Sequence, residues 1–97
     1  MRILALEQDV EGVGPEDFTP DLLRAEAMRA WELQQQGVLR EIYFRADRHA
    51  AVLLLECNAH AEAEEHLASL PLVQAGLIRF EVIPLLPYPG LARLFVP

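Results

Sequence analysis

Positive charge is scarce in this sequence. It contains no lysine, and its eight arginines are outnumbered by 15 acidic residues, which gives a formal net charge of -7. Nucleic acids and anionic membrane surfaces attract proteins that concentrate positive charge. The composition therefore predicts a protein with no nucleic-acid partner and no membrane partner.

Cysteine is almost absent as well. The one cysteine, Cys57, cannot form an internal disulfide, which suits a reducing cytoplasm. No signal-peptide pattern follows Met1, and no apolar run is long enough to cross a bilayer. These features predict a single cytoplasmic domain that comprises residues 1–97.

Metal-binding and hydrolytic motifs are missing too. His60 and His66 are six residues apart, a spacing that does not place them on one helix face, and Cys57 has no partner ligand nearby. Glu62 and His66 are four apart and are expected to pair on a helix surface. Ser69 lacks the surrounding pattern of a hydrolase nucleophile. The sequence therefore predicts neither a metal site nor serine hydrolysis.

What the sequence does contain is a hairpin between Gly37 and Cys57. Two β-rich runs, residues 37–45 and 50–57, flank the polar break Ala46-Asp47-Arg48-His49. In the second run both alternating sets of side chains are apolar, so neither face of that strand belongs in water. This pattern predicts a central strand that is covered on both faces.

The segment before the hairpin predicts a strand and a helix. Residues 2–8 are apolar with weak alternation, which is typical of a strand. Thr19 is a good N-cap and Pro20 suits the first helical position, so a helix begins there. It runs to Gln36, because Gly37 can adopt the left-handed conformation that closes a helix.

The segment after the hairpin predicts a second helix and a fourth strand. Asn58 is a suitable cap for the helix, and Pro71 is expected to end it. Residues 77–86 carry apolar side chains on both alternating faces, and Pro84 indicates an edge strand or a bulge. The order β-α-β-β-α-β predicts a ferredoxin-like α+β fold, with a four-stranded antiparallel sheet and both helices on one face.

This predicted arrangement leaves one apolar face of the sheet uncovered. Two helices cover only one face of a sheet that is apolar on both, which predicts a homodimer or a higher homo-oligomer. The proline-rich tail, residues 87–97, carries large apolar side chains, namely Tyr88, Leu91, Leu94 and Phe95. We expect this tail to dock on a neighbouring subunit or over a pocket mouth. A disordered tail is the alternative, although disordered tails are usually more polar.

Glu26 is the first candidate for a functional residue. At about 100° per residue it projects among apolar residues of the first helix, beside Leu33 and Ala30, and it therefore faces the sheet. A carboxylate desolvated there has a raised pKa and can act as a base near neutral pH. The alternative is a structural ion pair with Arg40 or Arg45.

Three more candidates lie around the hairpin. Arg40 and Arg45 can each bind a carboxylate through two hydrogen bonds, although either can also be a solvent-facing residue. They are five residues apart, which places them on opposite faces of an ideal strand. His49, at the hairpin end, can act as a general acid, bind a carboxylate or remain a solvated turn histidine.

With these residues placed, residues 21–84 resemble the muconolactone isomerase family of dimeric α+β barrels. The points of likeness are Glu26, Gly37 followed by Arg40, Arg45 and His49, the Ser69-Leu70-Pro71-Leu72 turn, and Phe80-Glu81-Val82. The family tends to have a basic residue and an aromatic residue at the positions of Val38 and Leu39.

The resemblance implies a proton shift on an unsaturated lactone that bears a carboxylate, without a cofactor and in a homo-oligomer. Glu26 would take the proton, His49 would return one, and Arg40 or Arg45 would hold the substrate carboxylate. The implied ligand is thus a small anionic organic molecule. Two alternatives stay open: a non-catalytic module for small-ligand binding or oligomeric interaction, and a cofactor-free oxygenase on the same fold.

Overall fold

One four-stranded sheet organises the chain. The computed structural model describes all 97 residues. Its strands are β1 (Arg2–Asp9), β2 (Leu39–Phe44), β3 (Ala51–Glu56) and β4 (Ile78–Pro84). They lie in the order β2-β3-β1-β4, and every neighbouring pair is antiparallel. This confirms the predicted ferredoxin-like fold, and it places the hairpin strand β3 inside the sheet as expected.

Three helices connect or follow these strands. They are α1 (Pro20–Gln35), α2 (His60–Ala68) and α3 (Pro71–Gln74). The Thr19 hydroxyl caps α1 by accepting the Leu22 N–H at 3.2 Å. The chain turns after α1 at Gly37, whose φ of 79° disfavours residues with a Cβ. None of the helices has the length and apolar character needed to span a membrane.

The second helical segment differs from its prediction at both ends. Ala59 occupies the cap position of α2, so the prediction that Asn58 caps this helix is wrong. The Asn58 backbone N–H instead donates to Glu62 Oε2 at 2.9 Å. Pro71 does not end α2 but begins α3. Proline suits the first position of a helix, because the N–H that it lacks would have no helical partner there.

The core lies between the helices and the inner face of the sheet. This face carries Ile3, Ala5 and Leu53, each at most 2% exposed. They join one buried cluster with Leu33 of α1 and Leu67 of α2. Each large aliphatic side chain buried in this way contributes roughly 1.5–3 kcal/mol to folding.

A β-bulge at Arg40 changes the alternation of side chains in β2. Leu39 pairs with Leu55 and Ile42 pairs with Leu53, so both face the helices although they are three residues apart. Arg40 occupies the extra position. The ideal-strand geometry that the sequence suggested for Arg40 and Arg45 therefore does not apply.

The outer face of the sheet carries apolar side chains on the side away from the helices. Leu4 pairs with Leu54 on one neighbouring strand and with Ile83 on the other, and Leu6 pairs with Val52. All five are only partly buried in the single chain. We call these five residues the outer apolar face, and it is the surface on which the predicted oligomer would form.

The C-terminal tail ends in a 3-10 helix, Pro89–Phe95. The tail leaves β4 beside the start of β1, where the Leu85 N–H donates to the Arg2 carbonyl at 2.9 Å. Tyr88, Leu91, Leu94 and Phe95 are between 64% and 84% exposed. The chain's own surface therefore leaves these side chains largely uncovered, and docking on a neighbouring subunit stays a prediction.

Leu54→Glu should prevent assembly. The new carboxylate would lie in the middle of the outer apolar face and would have to lose its hydration when a second copy binds. Light scattering at micromolar concentration should give an oligomer for the wild type and a monomer for the variant. Ala61→Glu, on the exposed side of α2, is the matched control and should assemble normally. A monomeric wild-type protein would contradict the prediction.

Truncation after Pro87 should weaken assembly but leave the subunit fold intact. The removed side chains contact little of their own chain, and docking on another subunit would bury most of their apolar surface. We expect the dissociation constant of the oligomer to rise by at least about tenfold, which corresponds to 1.4 kcal/mol. Sedimentation of full-length and truncated protein across a concentration series measures this change. Identical sedimentation would instead indicate a tail that docks on nothing.

Candidate active site

A cavity with two adjoining chambers lies between α1 and the inner face of the sheet. The inner chamber has a volume of about 260 Å³ and is lined mainly by apolar side chains. The outer chamber, of about 590 Å³, extends to the loop after β1 and to the hairpin turn. Glu7, Phe44 and Leu72 belong to the walls of both chambers. Leu23 and Ile78 also line both, so a small ring that enters at the mouth would reach the inner chamber past these five residues.

Glu26 lines the inner chamber from α1. Its Oε1 atom accepts the Leu72 N–H at 2.9 Å, from the first turn of α3, where backbone N–H groups lack helical partners. Burial raises the pKa of Glu26 above its ordinary value, the Leu72 hydrogen bond lowers it, and the nearby Glu7 charge raises it further. The balance is a carboxyl group with a raised pKa that faces an apolar space.

No arginine pairs with Glu26. The Arg40 guanidinium reaches the Gly37 carbonyl at 3.5 Å. Arg45 binds both carboxylate oxygens of Asp47, at 2.8 and 2.6 Å, because the hairpin turn brings these two side chains together. A structural ion pair between Glu26 and Arg40 or Arg45, the alternative suggested by the sequence, is therefore wrong.

Glu7 is a residue of this cavity that the sequence analysis did not identify. It lies on β1 and lines both chambers. Its Oε1 atom accepts the Ala51 N–H at 3.0 Å, at the end of the β1–β3 ladder. The signal was present in the sequence, since Ile3, Ala5 and Glu7 follow the period-two spacing of one strand face.

His49 lies at the mouth of the outer chamber. Its ring stacks on Phe44, with the centroids 4.4 Å apart and an interplanar angle of 25°. Asp9, which also lines the outer chamber, contacts Arg48 at 3.3 Å. Arg48, which the sequence analysis did not single out, lines neither chamber itself. The structure thus brings His49 and Glu26 to adjoining chambers, whereas neither Arg40 nor Arg45 lines either one. The roles assigned to these four residues stay predictions.

The sequence also matches a known protein family. A sequence model of muconolactone delta-isomerase matches residues 6–90. The chain belongs to the muconolactone delta-isomerase family. No curated protein matched the sequence.

Two solved structures have the same fold as this family member. A crystal structure of muconolactone isomerase is 20% identical, with a TM-score of 0.71 and 93% of each chain covered. The structure of 5-chloro-2-hydroxyhydroquinone dehydrochlorinase from Burkholderia phenoliruptrix, in complex with 2,5-dihydroxybenzoquinone, is 16% identical. Its TM-score is 0.68, with 93% of this chain and 98% of that chain covered. At these identities the likeness establishes the fold and leaves the reaction open.

The two positions at which this family member departs from the family pattern lie outside the cavity. Leu39 is 2% exposed, and Val38 packs against the same buried cluster. Neither lines a chamber. The departure therefore affects packing near the bulge at Arg40 and leaves the walls of the cavity unchanged.

Other titratable clusters are structural in character. No three His, Cys, Asp or Glu side chains converge in a way that could hold a metal ion. His66 Nε2 lies 3.7 Å from Glu62 Oε1, which confirms the predicted pairing on α2. Cys57 is buried, and burial raises the pKa of its thiol.

Glu26→Gln should become more stable relative to wild type as the pH rises. A raised pKa in the folded state means that the folded protein binds this proton more tightly than the unfolded chain does. The wild type therefore loses unfolding free energy as the pH rises from about 4.5 through the raised pKa, and the glutamine variant does not. Its amide oxygen can still accept the Leu72 N–H.

Urea unfolding at pH 4, 6 and 8 measures this difference. Glu65→Gln, at an exposed position of α2, is the matched control and should show no such trend. A stability loss that is equal at all three pH values would mean that the Glu26 side chain is mainly structural.

Proposed function

We propose that this protein catalyses a cofactor-independent proton shift in a small unsaturated lactone that carries a carboxylate. The observation that carries this proposal is Glu26, a carboxyl group with a raised pKa and no ion-pair partner, on the wall of an apolar chamber. Catalytic bases that work near neutral pH have this combination of burial and accessibility to a ligand. Membership of the muconolactone delta-isomerase family supports the reaction class.

The reaction needs one group that removes a proton and one that returns it. In the proposed step, the Glu26 carboxylate takes a proton from a ring carbon, the C–H bond breaks and the electron pair moves towards the conjugated carbonyl. A proton then forms a new C–H bond at another carbon of the same conjugated system, and the double bond has shifted. No net proton, electron or other reactant is consumed.

The charges in the cavity suggest how the substrate is oriented. Glu7 and Glu26 line the inner chamber together with apolar side chains and with no basic residue, so a substrate carboxylate would be repelled there. His49 lines the outer chamber, Arg48 is paired with the chamber residue Asp9, and Arg45 adjoins the same hairpin turn. We therefore place the uncharged ring in the inner chamber and the substrate carboxylate at the mouth.

In this orientation, the cavity geometry supports a substrate contact by some of the predicted residues more than by others. His49 at the mouth can contact a substrate carboxylate or supply the returning proton, and Arg45 can join it if it releases Asp47. Arg40 lies near the start of β2, roughly 13 Å of extended chain before the hairpin turn. The cavity geometry therefore supports a carboxylate contact by Arg45 more than one by Arg40.

A second candidate reaction begins with the same proton removal. The two carboxylates of the inner chamber are hydrogen-bond acceptors, which also suits a hydroxylated ring, and loss of a halide from such a ring can follow removal of a proton. The solved dehydrochlorinase with this fold makes this reaction class a reasonable second assay. Glu26 would be the base in both reactions.

Glu26→Gln should lower turnover by about 10²–10⁴-fold, the usual contribution of a general base. Isomerisation of carboxylated butenolides, including muconolactone, should be followed from pH 5 to 9. Wild-type activity should rise with pH as Glu26 loses its proton, since only the carboxylate can accept one from carbon. The control Glu65→Gln should match the wild type at every pH.

Two results would contradict this proposal. A glutamine variant as active as the wild type would remove Glu26 from the reaction. A wild type that converts neither the butenolides nor a chlorinated hydroxyhydroquinone would favour a module that binds a small ligand without changing it.

A further inference from the structure

We propose that Glu7 is a positioning residue for Glu26: its carboxylate, fixed on the opposite wall of the inner chamber, makes Glu26 a stronger base towards the substrate. This inference rests on the proposed function for its catalytic consequence. The coupling between the two carboxylates can be measured without any substrate. Glu7 belongs to none of the motifs that marked the sequence as a candidate isomerase.

The geometry of the two side chains is the first argument. Glu26 projects from α1 and Glu7 projects from β1, and both line the inner chamber. Each has one oxygen held by a backbone N–H, that of Leu72 for Glu26 and that of Ala51 for Glu7. These tethers prevent the two like charges from swinging apart, so their repulsion is built into the folded state.

The second argument is that no other charge compensates for this repulsion. The walls from β2 and β3 are apolar where they meet the chamber, and α3 contributes only the Leu72 N–H. Arg79 and Glu81 of β4 alternate with Phe80, which lines the chamber, so they project to the other face of the sheet. Asp9 and His49 line the outer chamber only.

The effect on Glu26 follows from its surroundings. Burial is the main cause of its raised pKa; the Leu72 hydrogen bond opposes this shift, and the Glu7 charge adds to it. A carboxylate with higher proton affinity removes a proton from carbon more readily, provided that its pKa stays near the working pH.

Glu7→Gln is the decisive substitution. It removes the charge but keeps an amide oxygen that can accept the Ala51 N–H, so the fold should be preserved. The titration of the Glu26 side-chain carboxyl, followed by carbon-detected NMR, should shift to lower pH. The acid limb of the pH profile for kcat/KM should shift in the same direction. Turnover at the plateau should fall, by a smaller factor than in Glu26→Gln, with KM little changed.

Asp9→Asn is the matched control for this experiment. It makes the same change of net charge at the mouth, where Asp9 is paired with Arg48, and it should leave the Glu26 titration nearly unchanged. Glu7→Met is a second variant that removes the charge and also the tether. It should shift the Glu26 titration in the same direction even if its overall stability falls.

The outcomes separate this inference from the proposed function. A Glu26 titration that stays in place in Glu7→Gln and Glu7→Met, or that moves equally in Asp9→Asn, overturns the inference. A shift specific to the Glu7 variants supports it, even if the wild type turns over none of the assayed lactones. In that case the isomerase proposal fails alone, and the coupled carboxylates belong to a ligand-binding chamber.

Discussion

The alternation of side chains across the two central strands is the constraint on which the rest of this structure depends. In β1 it sends Ile3, Ala5 and Glu7 to the helices and Leu4 and Leu6 to the other side. A shift of one residue would bury Leu4 and Leu6 and remove Glu7 from the cavity. The same register therefore determines the core, the outer apolar face and the acidic wall of the inner chamber.

The cavity exists because the inner face is not apolar along its whole length. Towards Arg2 the sheet packs tightly against the helices, where Ile3 and Leu55 are 0% exposed. Towards Asp9 the wall passes to Glu7, and α1 contributes Glu26 at the same level. Two carboxylates cannot close together as aliphatic side chains do, because each would lose hydration and repel the other. The fold is thus well packed at the end near Arg2 and open at the end near Asp9, where both carboxylates lie.

The elements that could be predicted from sequence were those determined by local signals. Thr19, Pro20 and Gly37 mark the ends of α1, and the doubly apolar run of β3 indicated its central position. The predictions for Asn58 and Pro71 were wrong because a capping residue and a proline each suit more than one position near a helix end. The local sequence could not decide between those positions.

The site was harder to predict because its determining contacts are distant in sequence. Glu26 could be placed against the sheet from helical periodicity, yet its partner is a backbone N–H 46 residues away. An analysis of side-chain types favours an arginine as partner, because backbone groups do not appear in a charge pattern. Glu7 was missed for a related reason, since a single glutamate near a strand end resembles a solvent-facing residue until the register is known.

Membership of a family and the identity of a reaction are separate conclusions for this protein. The same fold occurs in a muconolactone isomerase and in a dehydrochlorinase, so the fold alone does not determine the reaction. Of the two departures from the family pattern, Leu39 is buried and Val38, which is partly buried, packs against the same cluster; neither lines a chamber. Under the proposed function, selectivity would come from the groups in and around the cavity. The apolar walls of the inner chamber would admit a ring, its two carboxylates would repel an anionic group, and the basic residues near the hairpin turn would attract that group.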